Sequence, residues 1–230
     1  MIDIAENIKI IRENIRKVAE KIGKDPKDII IVAATKTVEP ERIEKAIECG
    51  IEIIGENRVQ EARKKWEVLK NKVKWHMIGH LQTNKVKQAL EIFELIHSVD
   101  SLKLAKEIQK RAEKMGKIQD ILIQVNVSGE KTKFGISEDE LIPLVKEVSK
   151  FENIRILGLM TIPPYSENPE DSRPYFRRLR ELKEELSEKF SNIDFKYLSM
   201  GMTNDYLVAI EEGANMVRLG TAIFGPREGK

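Results

Sequence analysis

The 230-residue sequence contains one cysteine, three histidines and no long hydrophobic run. Its single cysteine, Cys49, excludes a disulfide within the chain and is typical of a reducing cytosol, so we expect a cytoplasmic protein. No stretch approaches the roughly 20 apolar residues that a membrane-spanning helix needs, and the first residues show no apolar signal-peptide core. The sequence therefore predicts neither a membrane protein nor a secreted one.

The charges are almost balanced, with 40 lysine and arginine residues, 38 aspartate and glutamate residues and a net charge of +2. This balance predicts no general attraction to nucleic acid or to an anionic membrane. The lysine clusters are interleaved with glutamates, so we interpret them as solvated helix faces; they comprise Lys64, Lys65, Lys70, Lys72 and Lys74. The richness in lysine, glutamate and isoleucine resembles the composition of heat-adapted proteins.

The histidine spacing does not predict a metal site. His76 and His80 are four residues apart in a strand-like pattern, where four residues span roughly 13 Å, so they cannot share one ion. No cluster of cysteines or carboxylates supplies further ligands. We expect His97 to lie within a strand as a core or rim residue.

Helical and strand patterns alternate along the whole chain. An amphipathic helix is predicted near the N-terminus, within residues 1–23, and a barrel over residues 29–225 of one domain. The eight apolar runs expected to form strands are 29–36, 51–56, 75–81, 94–100, 120–127, 155–162, 196–201 and 216–224. The charged helical segments are 40–49, 57–70, 101–115, 137–150, 170–190 and 204–213, with a weaker pattern at 82–91. Eight strand–helix units favour a closed (β/α)8 TIM barrel over an open doubly wound sheet.

Lys36 ends the first of these strands and is the first candidate site residue. Partial desolvation of a lysine disfavours its ammonium form and frees an amine that can condense with an aldehyde. The alternative is that Lys36 only ends the strand and reaches into solvent. Since barrels use the C-terminal ends of their strands for binding, the other strand ends decide between these interpretations.

The last two strands end in glycines and hydroxyl-bearing residues. Ser199, Gly201 and Thr203 follow the seventh strand, and Gly220 with Thr221 follows the eighth. Glycine allows close approach of the backbone to an anion, so this pattern indicates a phosphate site, although serine or threonine alone could be helix caps.

Arg218 lies within the apolar eighth strand, where a buried guanidinium needs a partner. That partner could be a carboxylate such as Glu56 or Asp100, or a ring nitrogen or oxygen of a ligand.

Longer motifs resemble the pyridoxal 5′-phosphate (PLP) homeostasis proteins of the YggS/PROSC family, in order and over essentially the whole chain. They are residues 32–37, 55–61, 75–85, 125–130, 158–162, 198–202 and 217–225. The resemblance implies an α/β fold, a single (β/α)8 barrel of the alanine racemase N-terminal-domain type with an extra N-terminal helix. It also implies PLP held as an internal aldimine on Lys36.

The resemblance carries over to further site residues. By similarity, the phosphate would be held by Ser199, Gly201, Thr203, Gly220 and Thr221. Arg218 would face the pyridine nitrogen, Asn57 would lie near the ring substituents, and His80 would line the ring. Thr203 stands where the family more often has serine, and it keeps the hydroxyl. Val38 stands where some members have a further lysine, which weakens any relay through that position.

The function that the resemblance implies is binding that buffers or delivers PLP, with little or no catalytic turnover. An arginine at the ring nitrogen disfavours its protonation and makes the cofactor a poorer electron sink. Alanine racemases tolerate this arrangement, but they carry a second, β-rich domain that supplies a tyrosine base, for which this length leaves no room. We therefore expect a monomer with PLP as its ligand, transient contacts with apo PLP enzymes, and no metal. The alternatives are a PLP-dependent racemase or lyase with a barrel-only site, and an aldolase-like enzyme for a sugar phosphate.

Overall fold

The protein is an eight-stranded parallel barrel surrounded by helices, in a computed structural model that describes residues 3–130 and 132–226. The strands are β1 (Ile30–Ala34), β2 (Ile53–Glu56), β3 (Lys74–Met77), β4 (Leu95–Val99), β5 (Gln119–Gln124), β6 (Ile154–Met160), β7 (Tyr197–Ser199) and β8 (Met216–Leu219). They follow one another around the barrel in chain order, and β8 pairs with β1 to close it. The predicted barrel is confirmed, and each of the eight predicted apolar runs contains one of its strands.

The helices connect the strands on the outside of the barrel. They are α1 (Ile4–Lys21), α2 (Pro40–Glu48), α3 (Val59–Leu69), α4 (Val86–Leu90), α5 (Leu102–Lys114), α6 (Glu138–Val148), α7 (Arg173–Lys189), α8 (Tyr206–Glu211) and α9 (Thr221–Phe224). Among the described residues, no helix combines the length and the apolar content needed to cross a membrane.

The apolar residues form two layers, because neighbouring residues of a strand point to opposite faces of the sheet. The smaller layer fills the barrel interior and consists of Val32, Ile78, Leu95, Leu122, Met160 and Met216. The larger layer lies between the strands and the helices and includes Ala33, Ile54 and Val217. The alternation places Ala34 and Arg218 on the interior side, and Thr35 and Glu56 on the helix side.

The N-terminal helix α1 packs on the side of the barrel, between α2 on one flank and α8 and α9 on the other. Asp3 caps it by accepting hydrogen bonds from the backbone N–H groups of Ala5 and Glu6. Its middle part also borders a cavity of about 910 Å³ at the N-terminal end of the barrel, lined by Arg12, Ile15, Ile53, His76, Tyr197 and Met216 among others. The helix thus covers the side of the barrel and reaches the edge of its N-terminal opening.

Two predicted elements differ from the structure. The apolar run 216–224 is not one strand, because β8 ends at Leu219 and the short helix α9 starts at Thr221, after Gly220. The weak helical pattern at 82–91 forms a 3₁₀ turn over Thr83–Lys85 followed by the five-residue α4. In both places hydropathy alone does not distinguish a short strand from a short helix.

Candidate functional site

Lys36 lies at the C-terminal mouth of the barrel, two residues beyond the end of β1, and is half-buried. Thr35 before it is fully buried. Thr37 after it has a φ of 62°, in the left-handed region that residues branched at Cβ rarely adopt. The end of β1 is therefore a constrained backbone segment that presents one lysine at the mouth of the barrel.

The residues that follow β7 and β8 meet beside β1. The Oγ1 of Thr203 accepts a hydrogen bond from the backbone N–H of Ala222 at 3.1 Å, which joins the two chain segments. A Cβ on Gly220 would lie 3.2 Å from the carbonyl oxygen of Ala34 in β1. Gly201 has a φ of 94°, and a Cβ there would lie 2.6 Å from the Cβ of Ala209. The structure thus brings Thr203, Gly220 and Thr221 together in a cradle of small and hydroxyl-bearing residues, close to the end of β1.

Asp205 supports this cradle, although the sequence pattern did not single it out. Its Oδ1 accepts from the backbone N–H of Met202 at 2.7 Å, and its Oδ2 accepts from the hydroxyl of Ser172 at 2.9 Å. Both bonds fix the loop between β7 and α8. An aspartate within three residues of a Gly–Met–Thr turn was an available signal, because aspartate commonly accepts bonds from nearby backbone N–H groups.

Arg218 is 3% exposed and lies inside the barrel. Its Nη1 donates to the Oγ of Ser199 at 2.6 Å, and its Nη2 donates to the carbonyl oxygen of Thr161 at 2.9 Å. Neither proposed carboxylate partner binds it. Glu56 lies on the other side of the strands with Lys65, and Asp100 lies 3.9 Å from His80. Burial lowers the pKa of Arg218 to about 10, against the opposing charge of Asp205, so the guanidinium stays cationic at neutral pH.

A chain of hydrogen bonds continues from Arg218 across the barrel. The Oγ of Ser199 lies 2.9 Å from Nδ1 of His97, and Nε2 of His97 lies 3.0 Å from Nδ1 of His76. Arginine can only donate, so Ser199 accepts from Arg218, and the same hydroxyl is hydrogen-bonded to Nδ1 of His97. We call this series, Arg218–Ser199–His97–His76, the barrel chain.

Both histidines of the barrel chain are neutral near neutral pH. Burial lowers the pKa of His76 to about 3, and burial, with the neighbouring His76 and the charge of Arg218, holds the pKa of His97 well below its usual value. His97 lies within β4 and is fully buried, as the sequence predicted. The sequence did not reveal its partners, because they lie on strands that only the closed barrel brings face to face.

Ser199 therefore differs from the other residues predicted at the phosphate. It is fully buried, and its hydroxyl is bonded to Arg218 and His97 rather than directed to the cradle. The geometry makes it a support for Arg218.

Asn57 and His80 lie at the rim of the mouth. Asn57 follows β2 and is half-buried. Its backbone lies so close to Gly79 that a Cβ added to Gly79 would be 2.4 Å from the Asn57 carbonyl oxygen. His80 is exposed and stacks on Phe134 with ring centroids 4.2 Å apart. These contacts place both residues at the entrance to the site.

Lys65 corrects one interpretation of the sequence. It is not part of a solvated helix face, because its side chain is only 7% exposed and its Nζ lies 2.7 Å from Oε1 of Glu56. The signal was available: Val59, Ala62, Lys65 and Leu69 are the buried residues of α3, at the spacing of one helix face. Lys64, its neighbour, is exposed, as predicted.

The tyrosines lie at several places in the fold. Tyr197 lines the cavity at the opposite end of the barrel, and the hydroxyl of Tyr206 accepts from Asn14 of α1. Tyr165 is 85% exposed on the loop after β6, and Tyr175 is half-buried in α7. Tyr197 and Tyr206 are thus directed away from the mouth that carries Lys36.

Comparison with known sequences assigns the chain to a family. The alanine racemase N-terminal domain family matches residues 7–228. A pyridoxal phosphate homeostasis protein from Aquifex aeolicus (strain VF5) is 50% identical over 97% of this chain and 98% of its own length. A protein with the same description from Escherichia coli (strain K12) is 36% identical over 99% of this chain and 98% of its own length.

Solved structures show the same fold. PipY from Synechococcus elongatus PCC7942, determined with PLP bound, superposes with a TM-score of 0.86 at 31% identity, over 97% of this chain and all of its own. An alanine racemase from Clostridium difficile 630 superposes with a TM-score of 0.72 at 18% identity, over 98% of this chain but only 58% of the racemase. The second likeness shows the shared barrel alone.

Proposed function

This chain belongs to the family of pyridoxal phosphate homeostasis proteins, and on that premise we propose that it binds PLP and buffers or delivers it, with little or no turnover. The observation that carries the proposal is the mouth of the barrel. There, Lys36 lies beside a cradle of small and hydroxyl-bearing residues, and among the described residues no carboxylate is bonded to the buried Arg218. PLP, when bound, supplies an aldehyde that can be held covalently and a ring that can accept electrons.

Lys36 is the proposed covalent anchor. Its side chain carries a primary amine at the mouth of the barrel, and a primary amine can condense with an aldehyde. Its backbone neighbours are fixed, so the side chain samples fewer directions than that of a surface lysine.

The cradle is the proposed phosphate site. Thr203 and Thr221 offer hydroxyl groups, and Gly201 and Gly220 allow the backbone to come close to an anion. The contact of Gly220 with β1 keeps this anion site next to the anchor, so both ends of one small molecule can be held at once.

Arg218 is proposed to face the ring nitrogen and to limit catalysis. The guanidinium can only donate a hydrogen bond to the ring nitrogen, and its positive charge opposes protonation of that nitrogen. Ser199 keeps the guanidinium in place from below. We assign both Asn57 and His80 to the rim of the site, with Asn57 near the ring substituents and His80 lining the ring.

We further propose that the protein is a cytoplasmic monomer that makes transient contacts with apo PLP enzymes. The single half-buried cysteine and the balanced charge support this proposal.

Visible absorbance of the purified protein, before and after borohydride reduction, tests the binding proposal. We expect a yellow band in the wild type, fixed by borohydride onto a peptide containing Lys36 and lost in Lys36→Ala. Lys85→Ala, which changes another half-buried lysine on the same side of the barrel, should keep the band. A wild type that stays colourless after incubation with PLP would refute the cofactor assignment.

Transfer of PLP to an apo-enzyme tests the homeostasis role. We expect the loaded protein to restore activity to an apo PLP enzyme while leaving added L-alanine unracemised. Racemisation at ordinary enzymatic rates would instead favour a PLP-dependent enzyme with a barrel-only site.

A further inference from the structure

A buried charged cluster lies on the outer side of the strands, directly behind Lys36. Lys65 Nζ donates to Oε1 of Glu56 at 2.7 Å, to Oε1 of Glu61 at 2.8 Å and to the carbonyl oxygen of Thr35 at 2.6 Å. We call Glu56, Glu61 and Lys65 the Lys65 cluster. All three donor positions of the ammonium are thereby used, so this lysine is held and not available for chemistry.

The cluster holds the backbone on both sides of Lys36. On the N-terminal side, Lys65 binds the carbonyl of Thr35, and the Thr35 hydroxyl donates to Oε1 of Glu56 at 2.5 Å. On the C-terminal side, Oε1 of Glu61 accepts from the backbone N–H of Thr37 at 2.6 Å. The residue between these two fixed points is the proposed anchor.

The conformation that is held is one that the segment would not keep alone. Thr37 has a φ of 62°, and threonine is branched at Cβ, so its left-handed backbone needs outside support. The bond from Thr37 to Glu61 supplies that support.

Packing alone does not account for the cluster. Buried ion pairs are commonly no more stabilising than apolar residues of the same size, and here Oε2 of Glu56 is buried without a hydrogen-bond partner among the described residues. What apolar side chains could not supply is the set of hydrogen bonds to the backbone of residues 35 and 37.

We propose that Glu56, Glu61 and Lys65 are positioning residues, which fix the backbone around Lys36 so that its amine projects into the mouth of the barrel. This inference rests on the proposed function, because it assigns the cluster to the covalent step and not to recognition of the phosphate. Loss of the cluster should therefore slow attachment of the aldehyde and leave binding of the rest of the molecule intact.

The experiment compares two ligands in matched variants. The rate of covalent attachment is followed by visible absorbance with PLP, and recognition is followed with pyridoxine 5′-phosphate, whose alcohol cannot react with an amine. We expect Lys65→Met and Glu61→Ala to slow attachment at least tenfold and to change affinity for pyridoxine 5′-phosphate less than threefold. Lys64→Met, on the exposed neighbour, should behave as the wild type.

Glu61→Ala decides the matter even if Lys65→Met does not fold, since Glu61 is partly exposed. Glu61→Gln, which keeps an oxygen acceptor for Thr37, should recover attachment to within threefold of the wild type. In the protein without ligand, hydrogen exchange at the Thr37 amide should be faster in Glu61→Ala than in Glu61→Gln.

Attachment at the wild-type rate in Glu61→Ala would overturn the inference while leaving the proposed function in place. If Glu61→Ala weakened attachment of PLP and binding of pyridoxine 5′-phosphate equally, the inference would also be overturned, because the cluster would then maintain the whole site. Failure of the wild type to bind either ligand would refute the proposed function itself.

Discussion

Two buried polar networks support the mouth of this barrel, and they are built from opposite chemistries. The Lys65 cluster lies between the strands and α3 and is made of formal charges. The barrel chain lies inside the strands and carries one charge, that of Arg218, with a serine and two neutral histidines. The first network borders the proposed covalent anchor, and the second ends at the residue proposed to face the ring nitrogen.

The difference shows how location restricts chemistry. The outer layer reaches solvent, as Glu61 remains 24% exposed, so carboxylates and an ammonium can be paired there. The interior is closed, and each further charge would have to be desolvated, which costs several kcal/mol. A cation inside the barrel is therefore supported by neutral acceptors, the Oγ of Ser199 and the carbonyl oxygen of Thr161.

Breaking the charged network should have the largest effect on stability. Glu56→Ala removes the carboxylate at the centre of the Lys65 cluster, and loss of one partner of a buried pair costs about 3–5 kcal/mol in the free energy of unfolding. Urea denaturation measures this change. Glu147→Ala, in an exposed pair with Lys150, should leave the midpoint unchanged. A similar small loss in both variants would show that the buried pair contributes no more than a surface one.

Acid should lower the stability of the fold through the two histidines of the barrel chain. Because their pKa values are lowered in the fold, to about 3 for His76, the unfolded chain binds protons that the folded chain does not. Above about pH 6.5 these histidines therefore do not reduce the free energy of unfolding. Below that pH the free energy of unfolding falls by up to about 1.4 kcal/mol per pH unit for each histidine. Thermal unfolding across pH 5 to 8 measures the slope.

Matched variants test whether the buried His76 and His97 cause this fall of stability with decreasing pH. The double change His76→Gln with His97→Gln should flatten it, whereas His80→Gln, at the exposed rim, should not. Glu56 acts in the opposite direction: burial raises its pKa, so its contribution is present below about pH 4.5 and is lost as the pH rises through the folded value. Glu56→Gln should therefore make the acid decline steeper. An unchanged slope in the double histidine variant would contradict the barrel chain as the source.

The smallest expected effect distinguishes two fully buried serines, Ser199 and Ser98. Ser199→Ala removes an acceptor from Arg218 and a hydrogen-bond partner from His97, which should cost about 1–3 kcal/mol of unfolding free energy. Ser98 is equally buried, but its hydroxyl has no hydrogen-bond partner among the described residues, so Ser98→Ala should be neutral or stabilising. Equal losses would mean that packing, and not the barrel chain, sets the cost at Ser199.

Prediction from sequence succeeded where the signal is local. Each apolar run marked a strand, and the position of Lys36, Thr203 and Gly220 after their strands placed them at one end of the barrel. Such residues need only the parallel order of the strands to be brought together.

Prediction failed where a residue's partner lies on a distant element. Lys65 was interpreted as solvated from its charge, although its helical spacing placed it among buried residues. Ser199 stays a predicted phosphate residue, but its motif did not reveal that its hydroxyl faces His97, 102 residues away in the chain.

The sequence by itself determined the alternation of strands and helices, the end of the barrel that carries the site, and the family to which the chain belongs. Closure of the barrel decided the rest. It set β4 across from β7 and β8, so that His97 and Arg218 both meet Ser199, and it placed α3 against β1 and β2, so that Lys65 meets Thr35 and Glu56. The physical reason is that hydropathy and spacing report which face of an element is buried, while the identity of a buried polar partner depends on the positions of elements far apart in the chain.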